Sequence, residues 1–389
     1  MSSNKNLWVL VFICVINSLG FGLILPLLYV YGKTFGMTQQ MLGWLTAAYS
    51  IAQFFATPLL GALSDKFGRK PLLIISLAGT CISFLMFAEA RSLIMLFAAR
   101  ILDGLTGGNI SVAQAMVSDS STPAERAKNF GILGSSFAFG FVIGPAIGGV
   151  LSKYGLQVPF YFAVGISLLG VICSALFLKE TNCEGRNVTQ VHRYSETFKS
   201  LLLILKRPII GTAIFIGFLL TMAQFAMIIG FQAFSIDVLK INATTMGWFF
   251  ACFGIVGIFA QLSVPFITKR ISSRTLILTL STLFCLAAMF LTSFARGFLI
   301  FAICLVVYGL FNGLRNPMLN SIIADHNKKT EQGKVLGINQ SYASLGQIFG
   351  PVTAGLAALL SVHAIFFLSA GYILIALLFT FRLRSKGQN

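Results

Sequence analysis

The chain has 389 residues, of which 57% are hydrophobic and only 10% charged, with a mean hydropathy of +0.87. A soluble domain carries roughly 25% charged residues, so a water-soluble enzyme or binding module is excluded and the chain reads as an all-helical integral membrane protein. The formal net charge of +17 would suit a nucleic-acid partner, but its distribution, taken up below, excludes one.

A helix needs about 20 apolar residues to cross about 30 Å of hydrocarbon. Twelve such runs are legible, near 7–31, 41–62, 71–90, 94–117, 127–151, 158–178, 209–233, 243–267, 275–295, 298–323, 335–359 and 362–382. The first is too long for a cleaved signal peptide and lacks a small-residue cleavage site. Five Lys/Arg lie in the loops on one side (Lys33, Arg91, Lys153, Lys240, Arg296), whereas 21 lie in the termini and the alternate loops. That positive-inside bias puts both termini in the cytoplasm, and the basic charge reports topology. The seven cysteines have no paired spacing and are expected as packing residues, neither disulfides nor metal ligands.

In chain order, the first span carries Asn17 in INSLGFGLILP, and the second carries Tyr49 and Gln53. Between the second and third spans lies GALSDKFGRKPLL, residues 61–73, where Gly61 permits close helix approach and Gly68 a tight turn. Asp65, Lys66, Arg69 and Lys70 make this a short charged loop facing the cytoplasm. The fourth span opens with ARILDGLTGGN, and on one continuous helix Arg100, Asp103, Gly107, Ser111 and Gln114 share a polar stripe. An ionisable residue at the membrane centre costs at least about 2.5 kcal/mol and marks a functional site by default. Spacing of three lets Arg100 and Asp103 meet, either as a proton-exchanging pair or as an internal ion pair that only orients helices. Asp119 and Arg126 then reach the cytoplasmic surface beside the charged loop.

The fifth span has Phe137 and Phe141 and the run GFVIGPAIGGV, in which Gly140, Gly144, Gly148 and Gly149 strip one flank of side chains and Pro145 bends the helix. A looser copy, GQIFGPVTAG, occupies 346–355 in the eleventh span. The polar stretch 181–208 divides the chain into six-helix bundles at 1–180 and 209–389, and its tail SETFKSLLLILK has the pattern of a short amphipathic surface helix. The seventh span adds Gln224, Phe225, Phe231 and Gln232; the tenth a stripe of Tyr308, Asn312 and Arg315; the eleventh a stripe of Gln340, Ser344 and Gln347. Arg315 has no acid within one turn. It pairs across helices with Asp103, meets an anionic group on a substrate, or snorkels to the interface.

The halves repeat in parallel. A shift of 204 aligns MLGWLTAAYS at 41 with TMGWFFACFG at 245 and carries DKFGRK onto KRISSR at 269–274. A shift of 206 carries Gly131, Gly144, Pro145 and Asp119 onto Gly337, Gly350, Pro351 and Asp325. Two six-helix repeats of this kind are a transporter signature, with the substrate site expected near the midplane.

GALSDKFGRKPLL resembles the loop motif of the major facilitator superfamily, and GFVIGPAIGGV resembles its antiporter motif. Residues 99–131 are similar throughout to the fourth span and following loop of tetracycline/proton antiporters and related twelve-helix drug/proton antiporters. The resemblance implies that Arg69 pairs with Asp119 and that Asp65 lies near the start of the eleventh helix, around Lys334 to Gly337, with Gly61, Gly68, Lys70 and Arg126 completing a cytoplasmic gate. Because the repeat puts Lys269 and Ser273 where the first half has Asp65 and Arg69, the lock is expected on one side only. Where the tetracycline antiporters carry an acid in the first span this chain has Asn17, so proton coupling rests on fewer acids and tetracycline is not the expected substrate.

The expected function is proton-coupled antiport, exporting a drug-like or amphipathic metabolite across a bacterial inner membrane by alternating access. The alternative is uptake or facilitated transport of an anionic or zwitterionic metabolite, or export of a polycarboxylate such as a siderophore. No cofactor, metal or nucleic acid is expected, the partners being a small organic substrate, protons and lipid, and the chain is expected to act as a monomer. The three histidines, His192, His326 and His363, lie in loops or at a span boundary with no nucleophile and base pattern.

Overall fold

A computed structural model describes residues 2–107, 109–181, 201–271, 273–327 and 332–386, and among them every regular element is a helix. In chain order these are α1 (Ser2–Ile24), α2 (Leu28–Lys33), α3 (Gln39–Phe67), α4 (Arg69–Ala88), α5 (Leu93–Thr106), α6 (Asn109–Ser120), α7 (Pro123–Leu151) and α8 (Val158–Phe177). The second half supplies α9 (Ile210–Ala233), continued by one π-helical turn Phe234–Val238, then α10 (Ala243–Arg270), α11 (Arg274–Thr292), α12 (Phe298–Asp325), α13 (Gln332–Ala357) and α14 (Val362–Lys386). Ten spans among the described residues are long and apolar enough to cross a membrane. The remaining two expected spans fall on α3 and α13, which have 29 and 26 residues. At 1.5 Å per residue both exceed about 30 Å, so their shortfall is polarity, not length.

One expected span is broken and another is locally irregular. The first stops at Ile24 and resumes at Leu28, because Pro26 cannot donate to the helical ladder. The fourth, Leu93–Ser120, remains one span long and apolar enough to cross a membrane; its regular helix lapses at Gly107, whose N–H bonds to Gly104 O, and residue 108 lies outside the described residues. Prolines inside α3, α7, α10, α12 and α13 are tolerated without a break, as membrane helices allow.

The chain forms two compact units. The first comprises Met1–Thr38, Ala48–Val191 and Ile241–Ala251, and the second Gln39–Ala47, His192–Lys240 and Cys252–Asn389. The first unit has an apolar cluster at Leu7, Leu10, Leu73, Leu77, Met116 and Leu133, against which Phe137 packs. Its glycines seat α7 on α1: a Cβ at Gly144 would stand 2.8 Å from Leu19 O, one at Gly148 2.8 Å from Leu23 O, and one at Gly140 would strike Ser18. Gly149 uses the other flank of α7, where a Cβ would stand 3.0 Å from Thr244 O and 3.1 Å from the Cα of Gly247. The Thr244 hydroxyl also donates to Gly149 O at 2.7 Å.

The second unit repeats the pattern. Gly346 and Gly350 seat α13 on α9, at Phe218 and Met222, and Gly355 meets Gln40 and Gly43. The two motif runs are thus equivalent in packing, although the second is the looser copy in sequence. At Gly61 a Cβ would meet nothing within 4 Å among the described residues of its own unit, so no packing inside that unit calls for a glycine there. Of the surface helix expected at 195–206, residues 201–204 are helical and those before them lie outside the described residues. The six described cysteines are free, and no group that could hold a metal occurs among the described residues.

Candidate functional site

The fourth span holds the most enclosed charges of the first unit. Arg100 and Asp103 are both buried, with Arg100 Nη1 3.6 Å from Asp103 Oδ2. Rings from three other helices surround the guanidinium, whose carbon lies 6.0 Å from the Phe21 centroid, 5.3 Å from Tyr49 and 5.5 Å from Phe87. Cation–π contact stabilises a desolvated guanidinium by roughly 0.5–2 kcal/mol per good ring, which offsets part of the cost of burying it. The box extends outward: Phe21 stacks on Phe141 at 6.0 Å, and Gln53 Nε2 donates to the Tyr49 hydroxyl at 3.1 Å and to Gly107 O at 3.2 Å. Gly104 makes this possible, since a side chain there would strike the α3 backbone at Tyr49 and Gln53. Nε and Nη1 of Arg100 have no hydrogen-bond acceptor, so Asp103 is held by charge at 3.6 Å. A carboxylate so placed can take up and release a proton without losing a tight hydrogen bond to the guanidinium.

Asn17 is half-buried on α1, and Gln114 is exposed on α6. Phe137 belongs to the packing of the apolar cluster. In the second unit Phe231 and Gln232 are fully buried, and Phe231 stacks on Phe301 at 5.8 Å. Gln224, Ser344 and Gln347 are half-buried and Gln340 is exposed. Tyr308, Asn312 and Arg315 come together: Arg315 Nη2 donates to the Tyr308 hydroxyl at 3.3 Å and to the Asn312 side-chain carbonyl. Arg315 is 2% exposed, which rules out snorkelling.

At the expected gate, Gly68 takes φ +101° and turns the chain into α4. Arg69 then gathers three side chains: an ion pair with Asp65, a bond from Nε to Asp119 Oδ2 at 3.2 Å, and one from Nη1 to Ser64 Oγ at 2.6 Å. Sequence reasoning missed Glu180. Its two carboxylate oxygens accept from the backbone N–H of Arg69 and of Lys70, each at 2.9 Å, capping α4 with a negative charge where the helix dipole favours it. Lys70 Nζ donates to Ala175 O at 2.7 Å. The side chain of Arg126 lies outside the described residues. The second unit has a pair of its own that sequence reasoning missed: Arg274 at the start of α11 is ion-paired with Asp325 at the end of α12, with Lys269 where the first unit has Asp65. The fixed shift of 204 had aligned Arg274 with Lys70, but α4 begins at Arg69 and α11 at Arg274, so the helix starts correspond one residue later.

The sequence pattern of the Major Facilitator Superfamily matches residues 10–295 and, in an overlapping second placement, 214–389. The chain belongs to that superfamily. This major facilitator is a multi-pass membrane transporter and not an enzyme, taking a small molecule as its substrate. It is 30% identical to multidrug resistance protein 2 of Bacillus subtilis over 362 residues, covering 92% of this chain and 89% of that one. It is 29% identical to the class C tetracycline resistance protein of Escherichia coli over 364 residues, covering 92% and 91%. Among solved structures, a single-residue variant of the nucleoside transporter NupG superposes with a TM-score of 0.81 at 14% identity, covering 97% of this major facilitator and 99% of that chain; at that identity the likeness is one of fold.

Proposed function

We propose that this chain is a proton-coupled antiporter that exports a drug-like or amphipathic metabolite across the bacterial inner membrane by alternating access. It works as a monomer with both termini in the cytoplasm. The observation that carries the reading is the buried Arg100–Asp103 pair inside its aromatic box, since an intramembrane acid without a function is selected against by its cost. Asp103 carries the proton and Arg100 sets its affinity for it. Asn17, Tyr49, Gln53, Gln114 and Phe141 of the first unit, and Gln224, Tyr308, Asn312, Arg315, Gln340, Ser344 and Gln347 of the second, are the groups offered to substrate. Asp65, Arg69 and Asp119 serve as the cytoplasmic gate. Relatives named for multidrug and tetracycline resistance support export of an organic compound.

The test is transport in proteoliposomes. Asp103→Asn should abolish transport driven by an imposed pH gradient while leaving substrate counterflow, because exchange of substrate for substrate needs no net protonation. Full gradient-driven activity in that variant would remove Asp103 from the coupling role. A second reading is uptake or facilitated passage of an anionic or zwitterionic metabolite, for which Arg315, without a described carboxylate partner in its own unit, would serve equally; wild-type transport that ignores the pH gradient would favour facilitated passage over antiport, whatever charge the substrate carries.

A further inference from the structure

Arg315 is the most deeply buried charged side chain among the described residues, and no described carboxylate of its own unit neutralises it. Arg315 lies ten residues before the end of α12 at Asp325, about 15 Å along the helix axis at 1.5 Å per residue, and it is 2% exposed. Arginine does not give up its proton in proteins. Its Nη2 is engaged by the Tyr308 hydroxyl and the Asn312 side-chain carbonyl, both neutral acceptors, whereas Nε and Nη1 have no acceptor. The described carboxylates of the second unit are engaged elsewhere, Asp237 with Gln39 and Asp325 with Arg274. The nearby Cys285 donates its thiol to Tyr308 O, and the Tyr308 ring is stacked at 6.2 Å on Phe253. Among the described residues no anion of this unit is left for Arg315. An unpaired buried charge is strongly destabilising unless something compensates it.

Of the three fates open to Arg315 in the sequence, burial removes snorkelling, its own unit offers no described carboxylate, and Asp103 is already paired with Arg100. We infer that Arg315 is a binding site for an anionic group of the substrate. The substrate class is then an amphipathic aromatic compound bearing a carboxylate or similarly charged oxyanion, which Arg315 engages by charge-assisted hydrogen bonds beside the Tyr308 and Phe253 rings. This deepens the proposed function by naming a chemical requirement on the exported molecule, and it rests on that reading only for the direction of transport.

The experiment is equilibrium binding to the purified full-length protein in detergent, using a fluoroquinolone with its free carboxylate and the methyl ester of the same compound. The wild type should bind the acid at least about tenfold tighter than the ester, the order expected for a buried charge partner. Arg315→Gln should bring that ratio to about one, and Arg315→Lys should leave an intermediate ratio, since an ammonium keeps the charge but not the planar fork. A wild-type ratio near one, wild-type binding of neither compound, or a wild-type ratio retained in Arg315→Gln would overturn the assignment. Should Arg315→Gln not fold, the wild-type and Arg315→Lys ratios decide. Because binding is read without a gradient, failure here leaves the antiport reading to gradient-driven transport, and failure there leaves this result standing.

Discussion

Arg274 is ion-paired with Asp325, placing in the second unit the same tie between helix start and helix end that Arg69 and Asp119 make in the first. The two ties differ in setting. Arg274 and Asp325 are 41% and 50% exposed, whereas Arg69 and Asp119 are 11% and 29% exposed, and Asp65, Ser64 and Glu180 support only the first. Exposed pairs contribute about 0.2–1 kcal/mol. A double-mutant cycle of Arg274→Ala with Asp325→Ala, read from unfolding in detergent, should therefore give a coupling below about 1 kcal/mol. The Arg69→Ala and Asp119→Ala cycle should give more, within the range of about 0.5–3 kcal/mol found for networked residues. Equal couplings would show that the surrounding network adds nothing.

Glu180 acts on α4 through two backbone N–H groups. Glu180→Ala should cost about 0.5–2 kcal/mol, as loss of a helix cap does. Faster amide hydrogen exchange should appear at Arg69 and Lys70 before it appears elsewhere in α4. Gly68→Ala should be worse, because φ is +101° there and the new Cβ would stand 2.7 Å from Glu180 Oε2. Unchanged exchange at those two amides in Glu180→Ala would remove the cap from the account.

The Arg100–Asp103 pair separates stability from coupling. Arg100→Leu alone leaves a buried carboxylate without its counter-charge and should destabilise by about 3–5 kcal/mol, while Arg100→Leu with Asp103→Leu should recover much of that loss. Thermal unfolding of the single and double variants is the measurement. The double variant should nevertheless show no gradient-driven transport. A double variant as unstable as the single one would mean that the lost contact between guanidinium and rings outweighs the stranded carboxylate.

Glycine substitutions should divide by what surrounds them. Gly149→Val and Gly355→Val would push side chains against Thr244 O at 3.0 Å and Gln40 O at 2.9 Å, contacts with backbone that cannot rotate away. Each should cost about 1–3 kcal/mol, as overpacking does. Gly61→Ala meets open space and should stay within about 0.5 kcal/mol of the wild type. Melting temperatures of the three variants in one detergent would check the order.

Apolar run length and charge spacing carried most of the fold in the sequence, because a bilayer forces every spanning segment to satisfy its own backbone. Arg100, Asp103 and Arg315 were legible for the same reason: a charge in an apolar run is conspicuous. The groups around them were not. Phe21 and Phe87 reach Arg100 from α1 and α4, and nothing distinguishes them in sequence from the other 36 of the chain's 38 phenylalanines. Glu180 sits where an apolar span gives way to a polar linker and looks like ordinary solvation. Arg274 was hidden by a single fixed alignment shift, although the helix starts themselves are offset by one residue.

Two of the glycine contacts join segments far apart in the chain, which has a consequence in time. Gly149 is already made when Thr244 and Gly247 emerge from the ribosome, so that contact can close as soon as α10 enters the bilayer. Gly43 waits for Gly355, about 300 residues later in synthesis. At roughly 5–20 residues per second that is a delay of about 15–60 s, during which the start of α3 has no α13 to lie against. A glycine-bearing surface with little apolar bulk must persist through that interval, which makes the N-terminal end of α3 the segment whose docking comes late in assembly.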